Sequence, residues 1–318
     1  MTAADLWVLG NLTIDDLLLP DGSASMGMCG GNAIFAALGG RLWSESVGLS
    51  ARIGPDFPRV NVDRLCHAGV QLALSEVSAP TIHNWALYQS SDRRRFIHWP
   101  ESGTHVEQSL LPEEVPAAAG QARVCHVAPM PITVQSQLVE FLAPQPALVS
   151  LDPHDEYIVG AEATFTDLLG LVDVFMPSRQ EAALLYGGDD PLGAARAFRA
   201  AGPRVVAIKL GVEGVLVFGV DFDDPLHVPA VPVETVDPTG AGDAFCGAFG
   251  VVYGRTGDPI EAALHGTVAA SFTVEHRGAL SALPFNRALA EQRLTWLRAA
   301  LHTPRTEIER PCGWKTAS

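Results

Sequence analysis

The sequence predicts an α/β fold in three layers, α/β/α, around a mostly parallel sheet. Three observations predict it. Short apolar runs recur at 124–127, 147–151, 172–176, 205–208 and 214–218, each of strand length. Helix-compatible stretches such as 180–186 and 193–201 separate most of them. The chain has 318 residues, 47 % of them hydrophobic, which suffices for one large core without disulfide staples. Strands that alternate with helices through short links make parallel neighbours covered on both faces. In such sheets functional groups gather at the carboxyl ends of the strands.

The N-terminal third is less regular. Leu6 to Leu9 reads as a buried strand ending at Gly10. A polar, Gly-rich stretch follows from Asp21 to Asn32. Ala33 to Leu38 then reads as a helix stopped by Gly39 and Gly40, with Asn32 a candidate N-cap. Ser46 to Leu49 is a further strand, and Val62 to Ala68 a helix closed by Gly69. Between Thr81 and Trp99 two aromatic-rich runs flank a polar Ser90-Ser91-Asp92-Arg93 turn, which is a hairpin signal. A flap over a site, a dimer contact and a plain surface hairpin all fit it. The tail after His302 is polar and punctuated by proline.

Composition excludes several functions. The formal net charge is −15, and an acidic chain repels phosphate backbones, so no nucleic-acid partner is expected. Arg93 to Arg95 is the one basic run and reads as a solvated hairpin tip. Cys29, Cys66, Cys125, Cys246 and Cys312 form no CxxC pair, and their odd number fits reduced thiols in the cytoplasm. No basic n-region marks a signal peptide, and no apolar run approaches the roughly 18 residues of a membrane span. The histidines lack metal-binding spacing.

The most informative stretch runs from Thr235 to Phe245, TVDPTGAGDAF. A Pro/Gly loop leads into an apolar helix from Ala244 to Tyr253, so Gly240, Ala241 and Gly242 lie at a helix N-terminus. Unpaired backbone N–H groups and the helix dipole make such a place an anion hole, and small residues let a ligand approach. An Asp directly after it, Asp243, can take a proton from a hydroxyl that attacks phosphorus. Asp243 could equally cap the helix while the glycines turn the chain. The chain has neither GxxxxGK followed by Ser or Thr nor GxGxxG, so no other segment is suited to phosphate.

This segment resembles the C-terminal signature of the ribokinase-like (PfkB) carbohydrate and nucleoside kinases. Other stretches resemble the family in the same order: Gly10 to Asp15, Gly27 to Ala33, Ile53 to Asp56, Met176 to Ala182 and Lys209 to Gly214. The resemblance covers residue 6 to about Pro284 and implies a single kinase domain over 1–318. A small β-sheet lid, from about 12–30 and 81–100, would be inserted into it. It implies ATP and Mg²⁺ as cofactors, K⁺ as a further candidate, a small sugar or nucleoside as partner, and a homodimer through the lid. Asp243 would be the general base, with Gly240, Ala241 and Gly242 as anion hole. Asp15, Gly30, Gly31 and Asn32 would hold the acceptor. Lys209, Gly211, Gly214 and Thr239 would border the nucleotide. Glu181 would place Mg²⁺ through water, and Asp237 would serve a monovalent-cation site. Asp15 is favoured over its neighbour Asp16.

Two positions depart from the pattern. Ser178 stands where Asn is usual in the P-N-x-x-E-A motif, and Ala282 where Ser is frequent in a late cation-binding loop. An ATP-dependent sugar kinase is the leading expectation. A nucleoside kinase of the same fold and a catalytically silent sugar- or nucleotide-binding protein are the alternatives.

Overall fold

A computed structural model describes residues 3–19, 21–88 and 94–301. The expected hairpin turn around Arg93 and the tail after His302 lie outside these residues. In chain order the strands are β1 (Leu6–Leu9), β2 (Thr13–Leu18), β3 (Ala24–Gly30), β4 (Val47–Ile53), β5 (Val70–Glu76), β6 (Ile82–Tyr88), β7 (Arg94–His98), β8 (Val124–Val127), β9 (Leu148–Leu151), β10 (Val174–Phe175), β11 (Val205–Lys209), β12 (Val215–Gly219) and β13 (Leu226–Val228). The helices are α1 (Asn32–Arg41), α2 (Arg59–His67), α3 (Ala117–Gly120), α4 (Ile132–Leu142), α5 (Glu162–Leu169), α6 (Arg179–Tyr186), α7 (Pro191–Ala200), α8 (Ala241–Thr256), α9 (Pro259–Val274) and α10 (Arg287–Ala300).

Nine strands form the main sheet in the order β13-β12-β11-β10-β9-β8-β1-β4-β5. Every pairing from β11 to β5 is parallel, and only β12, paired antiparallel to both β11 and β13, runs the other way. Both faces of the sheet are covered. Leu6 and Val8 of β1 point into one core with α1, α8 and α9, while Trp7 and Leu9 point into the other with α4, α5 and α7. A strand buried on both sides needs apolar residues at every position, which is why its sequence shows a continuous run and not alternation. The second sheet has four strands in the order β3-β2-β6-β7. Here β2 pairs parallel to β6, and β6 antiparallel to β7.

The polar stretch at 21–32 contains β3, which the composition concealed because four of its seven residues are exposed. Helix α1 also departs from expectation. It runs through Gly39 and Gly40 to Arg41. These glycines do not stop the helix; they let it touch α8. A Cβ on Gly39 would lie 2.1 Å from the Ala244 carbonyl oxygen, and one on Gly247 would lie 1.8 Å from that of Ala36. The two backbones meet without side chains between them, which fixes α8 and the loop before it against α1. Gly247→Ala should therefore destabilise the fold by about 1–3 kcal/mol, the usual cost of overpacking, despite alanine's better helix propensity. Denaturant unfolding of the purified variant measures it.

Candidate active site

The loop before α8 is held by one carboxylate. Asp237 is 2 % exposed. Its Oδ1 accepts from the Thr239 N–H at 2.9 Å and the Thr239 hydroxyl at 2.6 Å. The N–H groups of Val236 and Asp237 donate to the Val274 carbonyl, at 2.7 and 3.0 Å. The chain then turns at Gly240 with φ +76°, a left-handed conformation that suits glycine. A Cβ there would collide with the Phe35 ring at 2.2 Å. Helix α8 starts immediately afterwards. The Ala241 N–H makes a turn bond to Pro238 at 3.3 Å. Gly242, in the first turn, has no carbonyl four residues back within the helix, so its N–H lacks an intrahelical partner, as at any helix start where an anion can be received.

Lys209 lies beside this helix end. It closes β11, and a Cβ on Gly242 would stand 3.4 Å from its ammonium. Asp152, the first residue after β9, receives that ammonium on both oxygens at 2.7 and 2.6 Å. Cys246, one turn into α8, has its sulfur 3.7 Å from Lys209 and 3.4 Å from Asp152. Burial disfavours the ammonium, but the Asp152 carboxylate outweighs it and raises the lysine above its ordinary range. Lys209 is thus a fixed positive charge.

Asp243 shares the cluster. Burial pushes its carboxyl up to about 6, against the pull of Lys209 and His154, with Glu181 adding repulsion. Glu181 is fixed by a capping box at the start of α6. Its Oε2 accepts the Ser178 N–H at 2.6 Å, and its own N–H donates to the Ser178 hydroxyl at 3.2 Å. Ser178 in place of Asn therefore has a local reason: Ser is a good N-cap and closes the box.

The small sheet brings the other carboxylates. Asp15 and Asp16 point to opposite faces of β2. Asp16 is consumed structurally, accepting from the Gly27 N–H at 2.7 Å and the Trp85 indole at 3.2 Å and pairing with His83 at 2.9 Å. Asp15 lines the cleft shared with Met28, Phe35, Tyr88, Asp237 and Thr239. It accepts from the Thr13 hydroxyl at 3.0 Å and the Asn84 amide at 3.3 Å, and burial pushes its carboxyl up to about 6. Gly30 is required beneath it, because a Cβ would stand 1.8 Å from Asp15 Oδ2. Gly31, at φ +99°, takes the cap position of α1 that was expected of Asn32. Asn32 is the first helical residue, and its amide joins the Asn11 N–H at 2.9 Å to the Pro129 carbonyl. It braces two loops of the cleft.

The remaining expected residues divide. Gly211 (φ +62°) and Gly214 (φ +101°) form the turn after Lys209, closed by a 2.8 Å bond from Leu210 N–H to the Gly214 carbonyl. Thr239 is elsewhere: it faces the Asp15 cleft and spends its hydroxyl on Asp237. Asp237 already takes three donors, the third being the Tyr88 hydroxyl at 2.6 Å, so its loop-holding role stands without a cation. Reading the sequence missed Asp152 and Tyr88. For Asp152 a signal existed, since it directly follows the carboxyl end of a strand; Tyr88 became visible only once the small sheet was placed.

Comparison with known proteins identifies the family and the fold. Residues 26–286 match the pfkB family of carbohydrate kinases, and the chain belongs to that family. It is 33 % identical over 264 residues to the cytidine kinase of Thermococcus kodakarensis, covering 81 % of this chain and 91 % of that one. It is 30 % identical over 307 residues to a fructokinase of Klebsiella pneumoniae, covering 88 % and 96 %. An E. coli protein provisionally assigned as a ribokinase II, solved with ATP and Mg²⁺, has the same fold. Its TM-score is 0.76 at 22 % identity, over 93 % of this chain and 99 % of that one. The chain is thus a sugar or nucleoside kinase, a phosphotransferase that takes small-molecule substrates. Among the described residues no helix is long and apolar enough to cross a membrane.

Two measurements follow. Asp152→Asn strands a buried ammonium and should cost about 3–5 kcal/mol of stability by denaturant unfolding. Tyr88→Phe removes a hydroxyl bond to a buried carboxylate and should cost about 1.5–3 kcal/mol by the same method.

Proposed function

We propose that this chain transfers the γ-phosphoryl group of ATP to a hydroxyl of a small sugar or of a nucleoside's sugar, with Asp243 as general base. The carrying observation is the cluster at the start of α8: a helix-end N–H at Gly242, the fixed charge of Lys209 beside it, and a carboxyl raised to about 6 in the same turn. A carboxylate near 6 is a stronger base than an ordinary one and is still ionised at pH 7.

The residues fit the cofactors. Gly242 leaves the helix start open beside Lys209 for phosphate, and Glu181 keeps one carboxylate oxygen clear of its capping bond for a metal-bound water. When bound, ATP supplies the phosphoryl group and Mg²⁺ offsets its charge. Asp15 would orient the acceptor's hydroxyls. Asp243 would take the proton from the attacking oxygen. Gly242 and Lys209 would hold the negative charge on the moving group. The turn at Gly211 and Gly214 would border the nucleotide. The small sheet would act as a lid, and Tyr88 would join it to the anion loop. Unpaired Cys29, Cys66, Cys125 and Cys246 support a cytoplasmic setting.

The test is a pH profile of ATP-dependent phosphorylation. A raised Asp pKa means the base is protonated below it, so kcat should fall as pH drops through about 6 and level off above it. Asp243→Asn should lose about 10²- to 10⁴-fold in kcat and lose that acid limb. Asp15→Asn should keep the limb in kcat and raise the acceptor KM. Wild-type turnover by Asp243→Asn would remove the proposed base.

A further inference from the structure

Asp15 does not stand alone on its face of the small sheet. Strand register places it opposite Asn84, and Asn84 opposite His98. The three side chains form a hydrogen-bonded row, with the Asn84 amide donating to Asp15 at 3.3 Å and its oxygen 2.8 Å from His98 Nδ1. The row continues off the sheet. His98 stacks on His105, ring centres 5.6 Å apart at 16°. His105 meets Tyr157 nearly edge-on at 6.3 Å, and Tyr157 lies 5.7 Å from His154. His154, in the loop after β9, is close enough to Asp243 to favour its ionised form. The row therefore starts at the candidate acceptor carboxylate, crosses from the small sheet to the main one, and ends at His154 in the loop after β9.

Its chemistry changes along the way. Asp15 and Asn84 suit hydroxyl groups. The rings beyond them suit a flat partner. Burial, and next the neighbouring His98, hold His105 below the ordinary imidazole range, so it is neutral at pH 7. A neutral imidazole offers one N–H donor and one acceptor. A free sugar has hydroxyls for the first part and no planar ring for the second. A nitrogen heterocycle on the same ribose can stack on these rings and exchange hydrogen bonds with their edges.

We propose that His98, His105 and Tyr157 form the subsite for the base of a nucleoside acceptor, so that the chain phosphorylates nucleosides in preference to free sugars. The inference rests on Asp15 and Asp243 bracketing the acceptor's sugar.

The test compares ADP release with cytidine, uridine and adenosine against D-ribose and D-fructose. At least one nucleoside should exceed both sugars in kcat/KM by about 100-fold. His105→Ala should cut that preference by about tenfold, through the nucleoside KM and not through kcat. His105→Phe keeps a stacking ring and should retain more of the preference than His105→Ala. Thermal midpoints check that both variants fold; if the alanine variant does not, a phenylalanine variant with no preference left overturns the stacking role. Preference for a free sugar, or equal losses on nucleoside and sugar in His105→Ala, overturns the subsite and leaves Asp243 as base. No ADP release with any acceptor overturns both.

Discussion

The site depends on one buried ion pair, Lys209 with Asp152. Lys209 ends β11 and Asp152 directly follows β9, with β10 between the two strands. Neither charge could be buried alone, because desolvating a lone ammonium or carboxylate costs several kcal/mol. Together they place a permanent positive charge under the first turn of α8. That charge is surrounded by more acid than it can neutralise, since Glu181 and Asp243 also feel it. Burial, with added repulsion from Glu181, keeps the Asp243 proton within reach of neutral pH against the pull of Lys209 and His154. One ammonium thus stands among three carboxyl groups, and it pairs directly with only one of them, Asp152.

Backbone closeness does the remaining positioning. Gly39 and Gly247 allow α1 and α8 to touch, and Gly240 tucks against Phe35 of α1. Helix α8, whose first turn carries the proposed anion donor, is therefore registered against α1, the helix that follows the glycines proposed for the acceptor. Asn32, at the start of α1, ties that loop to the segments after β1 and β8. Both ends of the proposed reaction are referenced to one rigid pair of helices.

Much of this was legible in the residues. The parallel sheet followed from apolar runs of strand length, and the loop before α8 from Pro, Gly and small residues ahead of an apolar helix. What failed, failed for physical reasons. Glycines at 39 and 40 carry the usual signature of a helix end, yet here they serve contact between helices, which no local pattern reveals. Strand β3 reads as a loop because an exposed strand of a small sheet has little apolar content. The bond from the Thr239 hydroxyl to Asp237, two residues earlier, is a further contact that the residue pattern did not announce. The row from Asp15 to His154 draws on β2, β6, β7 and two loops, and only tertiary structure assembles it.

The Tyr88 bond to Asp237 has a consequence for water. That carboxylate is buried, and it is also the group that shapes the loop before α8. Tyr88 closes β6 of the small sheet, so the shape of the loop before α8 and the placement of that sheet share one buried hydrogen bond, and water that reached Asp237 would compete with both.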